Sequence, residues 1–231
     1  MRVATARQGR RLFDRVWTRV EPPEQESYVS AISEPRARAR GIFEPIPPIP
    51  FPSLWRTDTR SIVGSVLLAV AFSANMQITE RLDTATVGGI IPWTAIPFGI
   101  MWFTTACFFF GMTGGLIAAS FNPIIAILTA TGPLAPVHFT INWSFCIPMA
   151  LMAAYVLKKG KPISYPTYLA MVMVSEIAIA TSLIPVWLFL FKFSAIQVAG
   201  LWVWAVAEGL PGSILGFIFV RSVAKSGVLS A

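Results

Sequence analysis

Two acids stand alone in the apolar part of this chain. Beyond residue 84 the only carboxylates are Glu176 and Glu208, each about 14 residues from the turn at Phe191 to Ser194. At about 1.5 Å per residue in two flanking helices, they sit at one depth near a bilayer midplane. A charge there costs at least about 2.5 kcal/mol, so such residues usually face a bundle interior and mark a ligand, a proton path or a paired partner. Two carboxyls at one depth can also share a proton, because like charges raise one pKa. The plain alternative is a protonated carboxyl bonded to a neighbouring helix. Nearer the outer surface, His138 and Asn142 are spaced i, i+4 on one helical face with Trp143 beside them, a set suited to holding a small heteroaromatic ring. Its plain alternative is a solvated interfacial histidine. Asn122 precedes Pro123, so its amide is placed to bond the carbonyl that the proline leaves free. Cys107 and Cys146 read as small apolar packing residues, with neither a disulfide framework nor a metal spacing. The chain has no Walker A loop, HExxH, paired CxxC or GxSxG elbow, so the expectation is binding rather than enzymatic catalysis, with no cofactor.

These residues need a membrane to position them. Thr84 to Leu157 contains no Asp, Glu, Lys or Arg, and a segment of that length without charge is satisfied only by hydrocarbon. The 231 residues are 55% hydrophobic and 13% charged with mean hydropathy +0.66, and short alternating segments of the β-barrel kind are absent. The expected fold is therefore an all-α integral membrane protein of six spans, at about 61–78, 87–109, 113–131, 136–157, 164–190 and 194–220. The first span should end at a charged turn of Glu80, Arg81 and Asp83. Pro92, Trp93 and Pro97 make the second irregular, and Trp187, Trp202 and Trp204 read as an interfacial aromatic belt. Lys158, Lys159 and Lys161 mark one cytoplasmic loop and Arg221 with Lys225 another. With the basic amino terminus inside as well, both termini are cytoplasmic. Ser65, Ala69 and Ser73 repeat every four residues, as do Gly111, Gly115 and Ala119, each set forming a flat stripe for close helix packing or for a second subunit.

Residues 1–54 form a separate tail. Residues 1–20 are Arg-rich with apolar residues at helical spacing, suggesting a short amphipathic helix on an anionic membrane face or a solvated tail. No apolar run follows the arginines, which argues against a secretory signal, while the acid-poor start also fits an organelle transit peptide. The stretch ending in EPIPPIPFPS reads as an extended linker without a packed core, and Trp55, Arg56 and Arg60 as interfacial anchors. Nucleic-acid binding has only the basic tail behind it and is not expected.

The pattern resembles the substrate-binding S components of energy-coupling-factor transporters. The resembling stretches are IIPWTAIPFGIMWFTTACFFFG, GMTGGLIAASFNPIIAIL, GPLAPVHF and AEGLPGSILGFIFVRSV, covering roughly residues 61–225. The resemblance implies a six-helix bundle in a prokaryotic plasma membrane that binds a vitamin-like micronutrient from the outer side. It also implies association with a membrane scaffold subunit and two ATPase subunits. The family's alanine repeat in the first helix maps onto Ser65, Ala69 and Ser73, with serine at two positions, which assigns that stripe to partner docking. The long basic, Pro-rich tail is not typical of the family. Beside nutrient capture stand two other functions: an accessory subunit of a larger membrane complex, and a proton-coupled carrier using Glu176 and Glu208.

Overall fold

A computed structural model describes residues 41–50, 53–89, 92–131 and 134–228. The expected amphipathic helix at 1–20 lies outside the described residues. The described chain is all-helical, with five helices long and apolar enough to cross a membrane.

Helix α1 (Thr59–Val87) opens at Asp58, whose side chain accepts from the Ser61 N–H, and stops at Gly88 in the left-handed conformation, φ 72°. Its inward face carries Ser61, Ser65, Ala69, Phe72, Ser73, Met76, Glu80 and Asp83, whereas Val63, Leu67, Val70 and Ile78 point outward. Small and polar inside with aliphatic outside is the reverse of a water-soluble helix and suits hydrocarbon surroundings. The charged turn expected at 80–83 is not a turn. Helical geometry runs through it because Glu80 and Asp83 prolong the buried face and find partners there.

Helix α2 (Ala95–Thr129) is broken at Gly111, where φ is 64° and ψ −150°. A Cβ at Gly111 would lie 2.4 Å from the Leu54 carbonyl oxygen, which accepts the Met112 N–H at 2.9 Å, so only glycine fits both the angle and the contact. The chain folds back there. A Cβ at Gly115 would meet Cys107 Sγ at 2.8 Å, whereas eight residues along an unbroken helix span about 12 Å. Both ends of α2 accordingly reach the carboxyl end of α1: Ala95 N–H donates to Asp83, and Asn122 to Glu80. This element is the centre of the bundle, with 78% of its apolar stretch buried against 39 to 44% in the other four. It starts at Ala95 rather than near residue 87, because Gly88 and Gly89 have positive φ.

Helix α3 (His138–Leu157) follows a short 3₁₀ turn at Ala135–Val137. Helix α4 (Tyr165–Pro185) runs on into a π turn at Val186–Leu190, and α5 (Ala195–Ala207) begins with a reciprocal cap between Ser194 and Gln197. Backbone bonds from Glu208 N to Trp204 O and from Gly212 N to Glu208 O carry α5 into α6 (Gly209–Ser226), which therefore extends past residue 220. Helix α2 packs on α1, α3 and α6, while α4 packs on α3, α5 and α6. Trp187 is 2% exposed and so sits inside the bundle, not on the expected aromatic belt.

The Pro-rich segment also departs from expectation, because it packs. Ile46 and Ile49 are 0 and 5% exposed. Ile46 exchanges two backbone hydrogen bonds with Ile163, both 2.9 Å. Glu44 Oε2 accepts from Arg221 at 3.1 Å and from Lys225 at 2.7 Å, while the Arg56 guanidinium donates to the Phe109 carbonyl. Prolines remove donors without preventing intervening isoleucines from inserting between helix ends. Residues 42–50 and 53–56 thus strap the end of the bundle, pairing with Ile163, Gly111 and Arg221.

Candidate functional site

At the opposite end, the helices leave a cavity of about 580 Å³ of empty space, mouth included. Its walls come from α1, α2, α3 and α4 and are mostly apolar, with Phe72, Phe103 and Phe145 among them; Glu80, Asn122, His138, Asn142 and Glu176 are its polar side chains, and among the described residues no Lys or Arg lines it.

Glu176 is held by α4 at the wall facing α6. It is 0% exposed, and neither carboxyl oxygen has a hydrogen-bond partner. Its stem fits because the neighbour is glycine: a Cβ on Gly209 would stand 2.9 Å from Glu176 Cγ. Since Gly209 follows Glu208 in the chain, the two acids do lie at one level on adjacent helices. They do not share the cavity, because Glu208 is half-buried and is not among its lining residues.

Glu80 organises the mouth. Its Oε1 accepts from Asn122 Nδ2 at 3.0 Å and lies 3.7 Å from His138 Nδ1, while Oε2 accepts from the Thr131 hydroxyl. Thr84 Oγ1 donates to the Thr131 carbonyl at 2.7 Å, fixing the same loop. Asp83, 1% exposed, serves the fold instead, accepting from Thr94 N–H at 3.0 Å, Thr94 Oγ1 at 2.6 Å and Ala95 N–H at 2.9 Å. An ionised acid on the first N–H groups of α2 caps that helix from another segment of chain. Both acids escaped the sequence reading as site residues because charges beside a span read as a loop. The signal was present in the series Ser65, Ala69, Phe72, Met76, Glu80, Asp83, which keeps one helical face.

Of the expected binding residues, Glu176, His138 and Asn142 line the cavity and Glu208 and Trp143 do not. Trp143 is 43% exposed, its indole N–H on Ser120 Oγ at 3.0 Å; one position beyond Asn142, it is rotated about 100° away from the inward face. The two asparagines exchange roles. Pro123 deprives the Ala119 carbonyl of its helical partner, and it is Asn142 Nδ2 that donates to that carbonyl, at 3.2 Å, while Asn122 turns to Glu80. The stripe of Ser65, Ala69 and Ser73 is corrected too. At 0, 0 and 4% exposed it packs inward, with Ser65 Oγ beside Gly114 of α2, and so presents no face to a docking subunit. Cys107 and Cys146 are buried free thiols. Among the described residues no cluster of three or more His, Cys, Asp or Glu side chains could hold a metal ion.

No protein-family model, curated protein or solved structure matches the chain.

Proposed function

We propose that this chain is a membrane-embedded capture subunit that takes up a small vitamin-like molecule from outside a prokaryotic plasma membrane without covalent chemistry. The observation that carries this reading is a fully buried carboxyl with two unpartnered oxygens, that of Glu176, on a residue lining a mostly apolar cavity. A polar group left so has a desolvation cost of roughly 1–3 kcal/mol, more if charged, which a bound molecule offsets. A mostly apolar cavity with a few convergent polar groups is the usual form of a small-molecule site.

Orientation follows from charge. The strap end gathers Arg56, Arg60, Lys158, Lys159, Lys161, Arg221 and Lys225, and the cavity end has Arg81 and Lys192. By the positive-inside rule the strap end is cytoplasmic and the cavity opens outward. With the fold-back at Gly111 counted as two crossings, the bundle crosses six times and both termini are cytoplasmic. In this reading a membrane scaffold and ATPase subunits supply the energy, as the resemblance to energy-coupling-factor transporters implies.

The test is mass spectrometry of small molecules released from the detergent-purified full chain. One compound at near-stoichiometric amount, lost in Glu176→Gln, is expected. A preparation that carries none, and whose thermal unfolding is unmoved by a concentrated small-molecule extract, would remove the basis for capture.

A further inference from the structure

We propose that the captured molecule is a small organic monocation: an ammonium, amidinium or positively charged heteroaromatic nitrogen on an apolar body. The proposal deepens the capture reading and rests on it. Of the four lining atoms that are buried without a hydrogen bond, three are Glu176 Oε1, Glu176 Oε2 and Asn122 Oδ1. All three are acceptors if the carboxyl is ionised. The fourth, His138 Nδ1, faces the Glu80 carboxylate at 3.7 Å. Asn122 has its orientation set by chemistry: Glu80 as a carboxylate only accepts, so the Asn122 amide nitrogen must face it and the amide oxygen is the end left without a partner.

Apart from the His138 imidazole, what remains unpartnered is acceptors. An anion would meet three lone-pair-bearing atoms with no Lys or Arg to answer it, and a neutral hydrocarbon would leave Glu176 unpartnered. Charge is limited to one because both Glu80 oxygens are already engaged, leaving a single free carboxylate. The other walls select against a bare inorganic ion, which needs about six oxygen ligands to replace its water. Phe72, Phe103 and Phe145 instead form a continuous aromatic wall, with centroids 4.7 and 5.8 Å apart, suited to a weakly hydrated organic cation or to the flat body that carries it.

The experiment measures binding of benzylammonium, N-methylpyridinium, benzyl alcohol and benzoate to the purified full chain in lipid nanodiscs by calorimetry. The cations are expected to bind, benzyl alcohol at least roughly tenfold more weakly, and benzoate not at all. Glu176→Gln should weaken the cations roughly 10- to 100-fold, the range for losing a hydrogen bond to a charged partner, and leave benzyl alcohol unchanged. Glu176→Asp, which keeps the charge, should retain the preference for cations and serves if the glutamine variant misfolds. Equal binding of benzyl alcohol or benzoate, cation affinity within twofold in Glu176→Gln, or no binding by any of the four would overturn the assignment. Capture itself is decided separately by the released-molecule experiment: a neutral or anionic compound found there would keep capture and overturn the cation.

Discussion

Deleting the donor at position 142 should cost more stability when Pro123 is present than when it is replaced. The Ala119 carbonyl lacks its helical partner because residue 123 has no N–H, and Asn142 Nδ2 replaces it at 3.2 Å. Ala119 and Asn142 are 0 and 7% exposed, so water does not readily take over. Leucine at 142 fills similar volume and cannot donate. Interhelical side-chain hydrogen bonds in membranes average about 0.6 kcal/mol and reach about 1.7, and this one also satisfies an otherwise orphaned acceptor, so Asn142→Leu should cost about 1–2 kcal/mol. In a Pro123→Ala background the new amide at 123 can bond Ala119 itself, and the same substitution should cost a few tenths, a coupling of about 1 kcal/mol. The four proteins are compared by reversible unfolding in mixed micelles, followed by tryptophan fluorescence. An Asn142→Leu cost that is the same in both backgrounds, within about 0.3 kcal/mol, would refute the assignment of Asn142 to the carbonyl that Pro123 frees.

Asp83→Ala orphans the Thr94 and Ala95 N–H groups at the start of α2, while the Thr94 hydroxyl keeps the Thr79 carbonyl, and should lower stability by about 2 kcal/mol, with Asp83→Asn recovering part of it in the same unfolding assay; an alanine variant as stable as the parent would sink the capping role. Gly111→Ala places a Cβ 2.4 Å from the Leu54 oxygen at φ 64° and should cost about 2 kcal/mol or more, seen as a lower unfolding midpoint. Trp143→Phe should leave ligand affinity within twofold, because the indole lies on the outer face; a large loss would restore Trp143 to the site. In a background of Cys107→Ala and Cys146→Ala, an impermeant maleimide added to intact cells should label Lys192→Cys and spare Lys159→Cys, and the reverse pattern would invert the orientation.

Most of the helical architecture was legible because uncharged length is a coarse signal that neighbours rarely override. The fold-back at Gly111 was legible too, since GMTGG puts three glycines in five residues between the second and third expected spans. What escaped depended on partners distant in sequence. Glu80 and Asp83 look like loop residues until Asn122, Thr131 and Thr94 are brought to them. For Trp143 against Asn142 one position decides between interior and exterior, a finer distinction than a span boundary allows. The Ser65, Ala69 and Ser73 stripe had the spacing for close packing, but spacing alone does not say which helix fills it. Prolines in 45–52 suggested a spacer, and nothing local signals that Ile46 pairs with Ile163.

That pairing leaves the two ends of the bundle unequally stiff. Around the strap, backbone bonds, the Glu44 ion pairs and Arg56 tie together chain segments 53 to 181 residues apart, whereas the far end is closed chiefly by side chains meeting Glu80 and Asp83. Deformation of the bundle should therefore pivot on a sewn base and be absorbed at the rim, as a purse opens at its neck while its seam stays fixed.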